Sequence, residues 1–150
     1  MYKRETILTA IENIAKTITV ANGYTYDVRL VSSQILPFEH IATTQFPAVF
    51  VQDLGDVEIE YKVGGIANVT IDLNIRVITK AEYSESQKKI SNTDLDLVKA
   101  IQTSTTLSGL VSRITPLERE SVDIETTYPY VAIDRSYRVV FSGIVDNGFN

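Results

Sequence analysis

Apolar and polar side chains alternate most regularly between Asn68 and Thr79, where Val69, Ile71, Leu73, Ile75 and Val77 interleave with Asn68, Thr70, Asp72, Asn74 and Arg76. A period of two is that of a strand with one face on a core and the other on a polar environment. Just upstream, Val57, Ile59, Tyr61 and Val63 alternate with Glu58, Glu60 and Lys62, and Gly64-Gly65 separates the two runs. Paired glycines meet the positive φ of a tight turn, so the two runs read as the arms of one hairpin, the first of them acidic.

The remaining elements follow from the same test. Ile7, Ile11, Ile14 and Ile18 recur at spacings of a helical stripe, which predicts a helix over 6–20 that ends before Asn22-Gly23. Tyr24–Leu30 alternates as a strand, and Ala48–Gln52 is a short apolar strand begun just after Pro47. Asp53–Asp56 has turn composition. Thr79–Ile90 is polar and predicts a connector, after which Asn92 or Thr93 caps a second helix carrying Leu97, Val98 and Ile101, with Ile90 one turn earlier if the helix begins sooner. Asp94 and Asp96 would then sit at the positive end of that helix. Leu110–Leu117 predicts a short strand broken by Pro116, and Glu118–Thr127 is acidic and turn-rich. Tyr130–Val145 closes the chain as a long strand whose apolar face, Val131, Ile133, Tyr137, Val139 and Phe141, is interrupted by Arg135. No repeat or linker divides residues 1–150, which predicts one domain.

Composition narrows the functional classes. Hydrophobic residues make up 44% and charged residues 22% of the 150, the balance of a chain with a packed core. Without cysteine the chain has no disulfide and no thiolate metal site. A formal charge of −5 opposes docking on phosphate backbones or anionic lipid. The opening residues, which reach Glu5, Thr6, Thr9 and Glu12 before any long apolar run, read as neither a signal peptide nor a membrane span.

Candidate chemistry is sparse. His40, the sole histidine, lies in the long segment Ser33–Phe46, where a solvated loop residue is the simpler reading than a member of a triad. One histidine and no cysteine leave only carboxylates for metals, and these favour hard cations. Glu60-Tyr61-Lys62 has the E-x-K form used by metal-dependent nucleases, and with Asp53 upstream it could present two acids to Mg²⁺. The competing reading places Glu58, Glu60 and Lys62 on the solvated face of a hairpin arm. Gly64-Gly65 precedes a strand, so it is no phosphate loop. Tyr24, Tyr26, Tyr128 and Tyr130 lack the flanking positive charge of a base-stacking platform, and packing is the expected use of their rings.

The order of these elements resembles the tail terminator, or tail-completion, proteins of tailed bacteriophages. The likeness runs over nearly the whole chain through the helix ILTAIENIAKTI, the segment FPAVFVQD, the hairpin return NVTIDLNIRVITKA, the helix TDLDLVKAI and the strand VAIDRSYRVVFSG. It implies an α+β domain, an antiparallel or mixed sheet with a projecting hairpin and two main helices packed on it. It also implies a hexameric ring that caps the tail tube, ends tube polymerisation and meets the head-side connector. Such a virion component is assembled in the host cytoplasm, and genome DNA passes its lumen without specific binding. The resemblance brings no catalytic residue, cofactor or metal. On this reading the candidate interface residues are Phe38, His40 and Phe46 of the long segment, Glu58, Glu60 and Lys62 of the acidic arm, and Asp72, Asn74 and Arg76 of the return strand. Another neck or head-tail joining protein shares the same setting, and the Asp53, Glu60, Lys62 nuclease is the alternative of a different class.

Overall fold

The computed structural model describes residues 3–34, 36, 40–80, 85–123 and 130–144. Helix α1 (Lys3–Lys16) leads through irregular chain to a short strand β1 (Leu30–Ser32). Two long strands follow, β2 (Ala48–Lys62) and β3 (Ile66–Lys80), then helix α2 (Ser86–Gln102) and strands β4 (Arg113–Asp123) and β5 (Tyr130–Ile144). The strands form one mixed sheet in the order β1-β2-β3-β5-β4, parallel only between β1 and β2. The fold is α+β, as the resemblance implies.

Strand β3 occupies the middle of the sheet and accounts for its layering. Its odd positions from Val69 to Val77 are buried with Val131, Ile133, Tyr137, Val139 and Phe141 of β5 under Ile7, Ile11 and Ala15 of α1 and Ile90, Leu97 and Ala100 of α2. Both helices therefore cover the same face. On the opposite face, Ile41, Ala48, Phe50, Ile78 and Ala132 form a smaller buried cluster at one end, flanked by Phe46 and Tyr130. Because opposed residues of an antiparallel pair share a face, burial of the odd set leaves Asn68, Thr70, Asp72, Asn74 and Arg76 on the uncovered side.

Several predicted boundaries move, each for a local reason. The turn expected at Asp53–Asp56 is instead a pair of β-bulges inside one continuous strand, with Gly55 at φ 101° supplying the left-handed residue. The strand expected at Tyr24–Leu30 shrinks to Leu30–Ser32 because other groups take its amides. The Asp96 carboxylate accepts from the backbone N–H of Thr25 and Tyr26, the Ile18 carbonyl from Val28 and the Pro47 carbonyl from Arg29. Helix α1 stops at Lys16, and Gly23 at φ 89° closes a separate 3₁₀ turn at Val20–Asn22. Helix α2 begins at Ser86, ahead of Asn92 and Thr93 and with Ile90 inside it, so residues 86–90 of the predicted connector are helical. Asp94 and Asp96 are thus mid-helix, where their burial is set by tertiary partners and not by the helix dipole.

Candidate functional site

Length decides which part of the sheet stays bare. A strand of 15 residues spans about 50 Å, whereas helices of 14 and 17 residues span only about 21 and 26 Å. The core under the helices reaches Val69 and Ile71 of β3, with Ile59 of β2 packed against it, and the hairpin continues past it to its 63–65 turn. Seven large apolar side chains are exposed among the described residues, and five of them, Leu54, Val57, Tyr61, Val63 and Ile66, belong to this hairpin. Val63 is 98% and Tyr61 68% exposed. Scattered exposed apolar residues are ordinary, but their concentration on one projecting arm makes it the candidate interaction surface. Leu54, Val57, Tyr61, Val63 and Ile66 were not among the predicted contact residues. The available signal was the excess of strand length over helix length.

The acidic arm lies where its alternation places it. Glu58 is opposite Thr70 and Glu60 opposite Asn68, which puts Glu58, Glu60 and Lys62 on the uncovered face, all three exposed. Asp53 is opposite the buried Leu73 and so faces the helices, where Arg4 of α1 holds it with donor–acceptor distances of 2.7 to 3.0 Å and the Gly55 N–H adds a contact of 2.8 Å. Asp53 and Glu60 are thereby on opposite sides of the sheet and about 20 Å apart along it. The arrangement that the Mg²⁺ reading requires is not assembled. Among the described residues, no three His, Asp or Glu side chains converge as a metal site.

On the same uncovered face, the polar residues of β3 are tied sideways to β5. Arg138 donates to both oxygens of Asp72 at 2.9 and 3.1 Å, and Arg76 to both oxygens of Asp134 at 2.8 Å. Asn74 Nδ2 donates to Asp134 Oδ1 at 3.0 Å, and Ser142 Oγ to Asn68 Oδ1 at 2.6 Å. Two-point arginine–carboxylate pairing fixes orientation as well as charge. The hydrogen bond that Arg138 donates to Asp72, with the charges of Asp72 and Glu58, raises the Arg138 pKa, so this guanidinium stays charged. Asp72, Asn74 and Arg76, expected as contact residues, are thus part of a half-buried and mutually neutralised ladder. Their partners across the sheet were invisible without the β3–β5 register.

The long segment divides. Phe38 lies outside the described residues. His40 is exposed, and Phe46 stacks on Tyr130 with ring centroids 5.5 Å apart, so the partner missing within its own segment comes from β5.

Beneath the helices, Arg135 interrupts the apolar face of β5 because α2 supplies its counter-charge. Its Nε donates to Asp94 Oδ1 and its Nη2 to Asp94 Oδ2 at 2.6 Å, with the Asp94 side chain only 7% exposed. Beside this pair Tyr137 is buried, and that burial pushes its phenol above the ordinary value, reinforced by Asp94 and opposed by Arg135. Arg135 and Tyr137 form the base of a cleft of about 150 Å³ between α2 and β4, walled by Val98, Ile101, Ile114 and Pro116.

No family model matches the sequence, and no curated protein matches it. Among solved structures, a chain in the virion of a native gene transfer agent particle is similar at 16% identity. That match covers 91% of this chain and 94% of the other, with a TM-score of 0.48. Among the described residues, no helix is long and apolar enough to cross a membrane.

Proposed function

We propose that this chain is a structural protein of a tailed-phage-type virion, a tail terminator whose copies close into a hexameric ring on the tail tube and meet the head-side connector. The observation that carries this reading is the β2–β3 hairpin, which extends past its helices and presents a band of apolar side chains to a partner. The sequence resemblance supplies the setting. The free edge of β2 supports it further: β1 pairs only with Ala48–Phe50, and no described strand covers the outer edge from Val51 to Lys62. Uncovered edges template pairing with other chains, a tendency that a closed ring can satisfy. The bulges and charged side chains along this edge limit indiscriminate pairing.

The ladder face suits a surface past which DNA slides. Affinity for a phosphate backbone comes from cations that release its counterions, and Arg76 and Arg138 are each engaged by a carboxylate. The test is to add the purified chain to polymerising tail-tube protein and follow tube length by electron microscopy. Tubes should stop growing and carry a ring at one end; undiminished elongation would overturn the reading. Mg²⁺-dependent cutting of DNA that disappears in Glu60→Ala would replace it with the nuclease.

A further inference from the structure

The hairpin tip and the α2–β4 cleft are complementary surfaces of one molecule that the molecule cannot bring together. Tyr61 is opposite Ala67, and Tyr137, on the cleft floor, is opposite Leu73. Six residues of continuous β3 therefore separate the levels of the tip and the cleft, about 20 Å along a hydrogen-bonded sheet. The sheet holds the tip away from its own cleft, so a tip seated in such a cleft belongs to another copy.

From this we infer that Tyr61 is the anchor of a head-to-tail contact between copies, its ring seated in the α2–β4 cleft of the neighbour with Val63 against the rim. The inference deepens the ring proposal and rests on it. Size supports the fit: a dry apolar cavity of about 150 Å³ accepts a benzene-sized group, and the cleft has that volume. Chemistry supports it too. Val98, Ile101, Ile114 and Pro116 offer apolar walls, while Gln102 at the rim offers polar atoms to a phenol whose ring end is buried and whose hydroxyl end is wet. Tyrosine seated in a pocket is a common centre of binding energy at interfaces. An anchor and a cleft at different places on one surface make a heterologous contact, which propagates from copy to copy and closes when the rotation allows.

The absence of native cysteine makes the test direct. Val63→Cys and Gln102→Cys, combined in one full-length chain and oxidised gently, should give a ladder of disulfide-linked species extending beyond the dimer. Each single variant should give no ladder. Tyr61→Ala in the double-cysteine background should abolish the ladder without changing the thermal midpoint, because the ring is exposed in the single chain. Absence of inter-chain disulfides, a product that stops at the dimer, or a ladder indifferent to Tyr61→Ala would each overturn the inference. Native mass spectrometry of the unaltered chain separates the two proposals: rings of the unaltered chain, together with no disulfide ladder in the double-cysteine chain, leave the ring standing and remove this contact.

Discussion

Asp94 of α2 and Arg135 of β5 form a two-point ion pair across the interface between helix and sheet, with the carboxylate buried and the guanidinium only partly exposed. The pair locks α2 at one position along β5 in a way that apolar packing alone would not, since leucine and isoleucine contacts tolerate sliding.

Removing one member should be costly. Asp94→Ala is expected to lower unfolding free energy by about 3 kcal/mol, because it leaves the Arg135 charge beside the core without its main compensation. The double change Asp94→Leu with Arg135→Met should recover most of that loss. Urea unfolding of Asp94→Leu, Arg135→Met and the double variant measures the coupling, and additive effects would show that the pair does not act as a unit.

The Asp96 carboxylate ties the segment after Gly23 to α2 through the Thr25 and Tyr26 amides, and Lys99, one turn on, reaches the Gly23 carbonyl at 3.1 Å and stacks over the Tyr24 ring. Asp96→Ala should cost about 2 kcal/mol, the range for hydrogen bonds to a charged group. It should also accelerate hydrogen exchange of the Thr25 and Tyr26 amides by about tenfold or more, with β3 amides showing only the change in global stability. Equal protection in the variant would remove Asp96 as the latch.

Thr79 is fully buried, and its hydroxyl has no hydrogen-bond partner among the described residues. Thr79→Val keeps the shape and removes the desolvated hydroxyl. The melting midpoint should rise by about 2–4 °C, corresponding to roughly 1 kcal/mol. A fall in the midpoint, read by calorimetry, would reveal a partner for that oxygen.

Tyr137 gives stability a dependence on alkaline pH. Its phenol is raised above 10.0 in the folded chain, chiefly by burial, so between the unfolded and folded values the folded state holds a proton that the unfolded state has released. Stability from this group is complete below pH 10.0 and declines as pH climbs through the folded value. Chemical denaturation of Tyr137→Phe across this range should show a shallower alkaline decline than the parent. Parallel curves would assign the decline to other groups.

The alternation from Asn68 to Thr79 was enough to identify the central strand and its buried face, because a period of two leaves only one side on which five aliphatic residues can be hidden. The closing strand and the isoleucine stripe of α1 were legible for the same reason, as was the hairpin turn at Gly64-Gly65. What could not be read locally were features that depend on residues distant in the chain. Arg135 reads as a flaw in an apolar face until Asp94 arrives 41 positions away in sequence. Tyr24–Leu30 has a strand pattern, but Asp96 takes two of its amides. Asp72 and Arg76 show no partner in the sequence until register sets Arg138 and Asp134 across from them. The exposed tip followed from a comparison no single segment contains, a 15-residue strand against helices too short to cover it. Periodicity thus determined the inward faces, because burying apolar area is a local demand on each element. Tertiary structure alone decided the polar partnerships and the bare surface, because charge compensation and coverage depend on which elements meet.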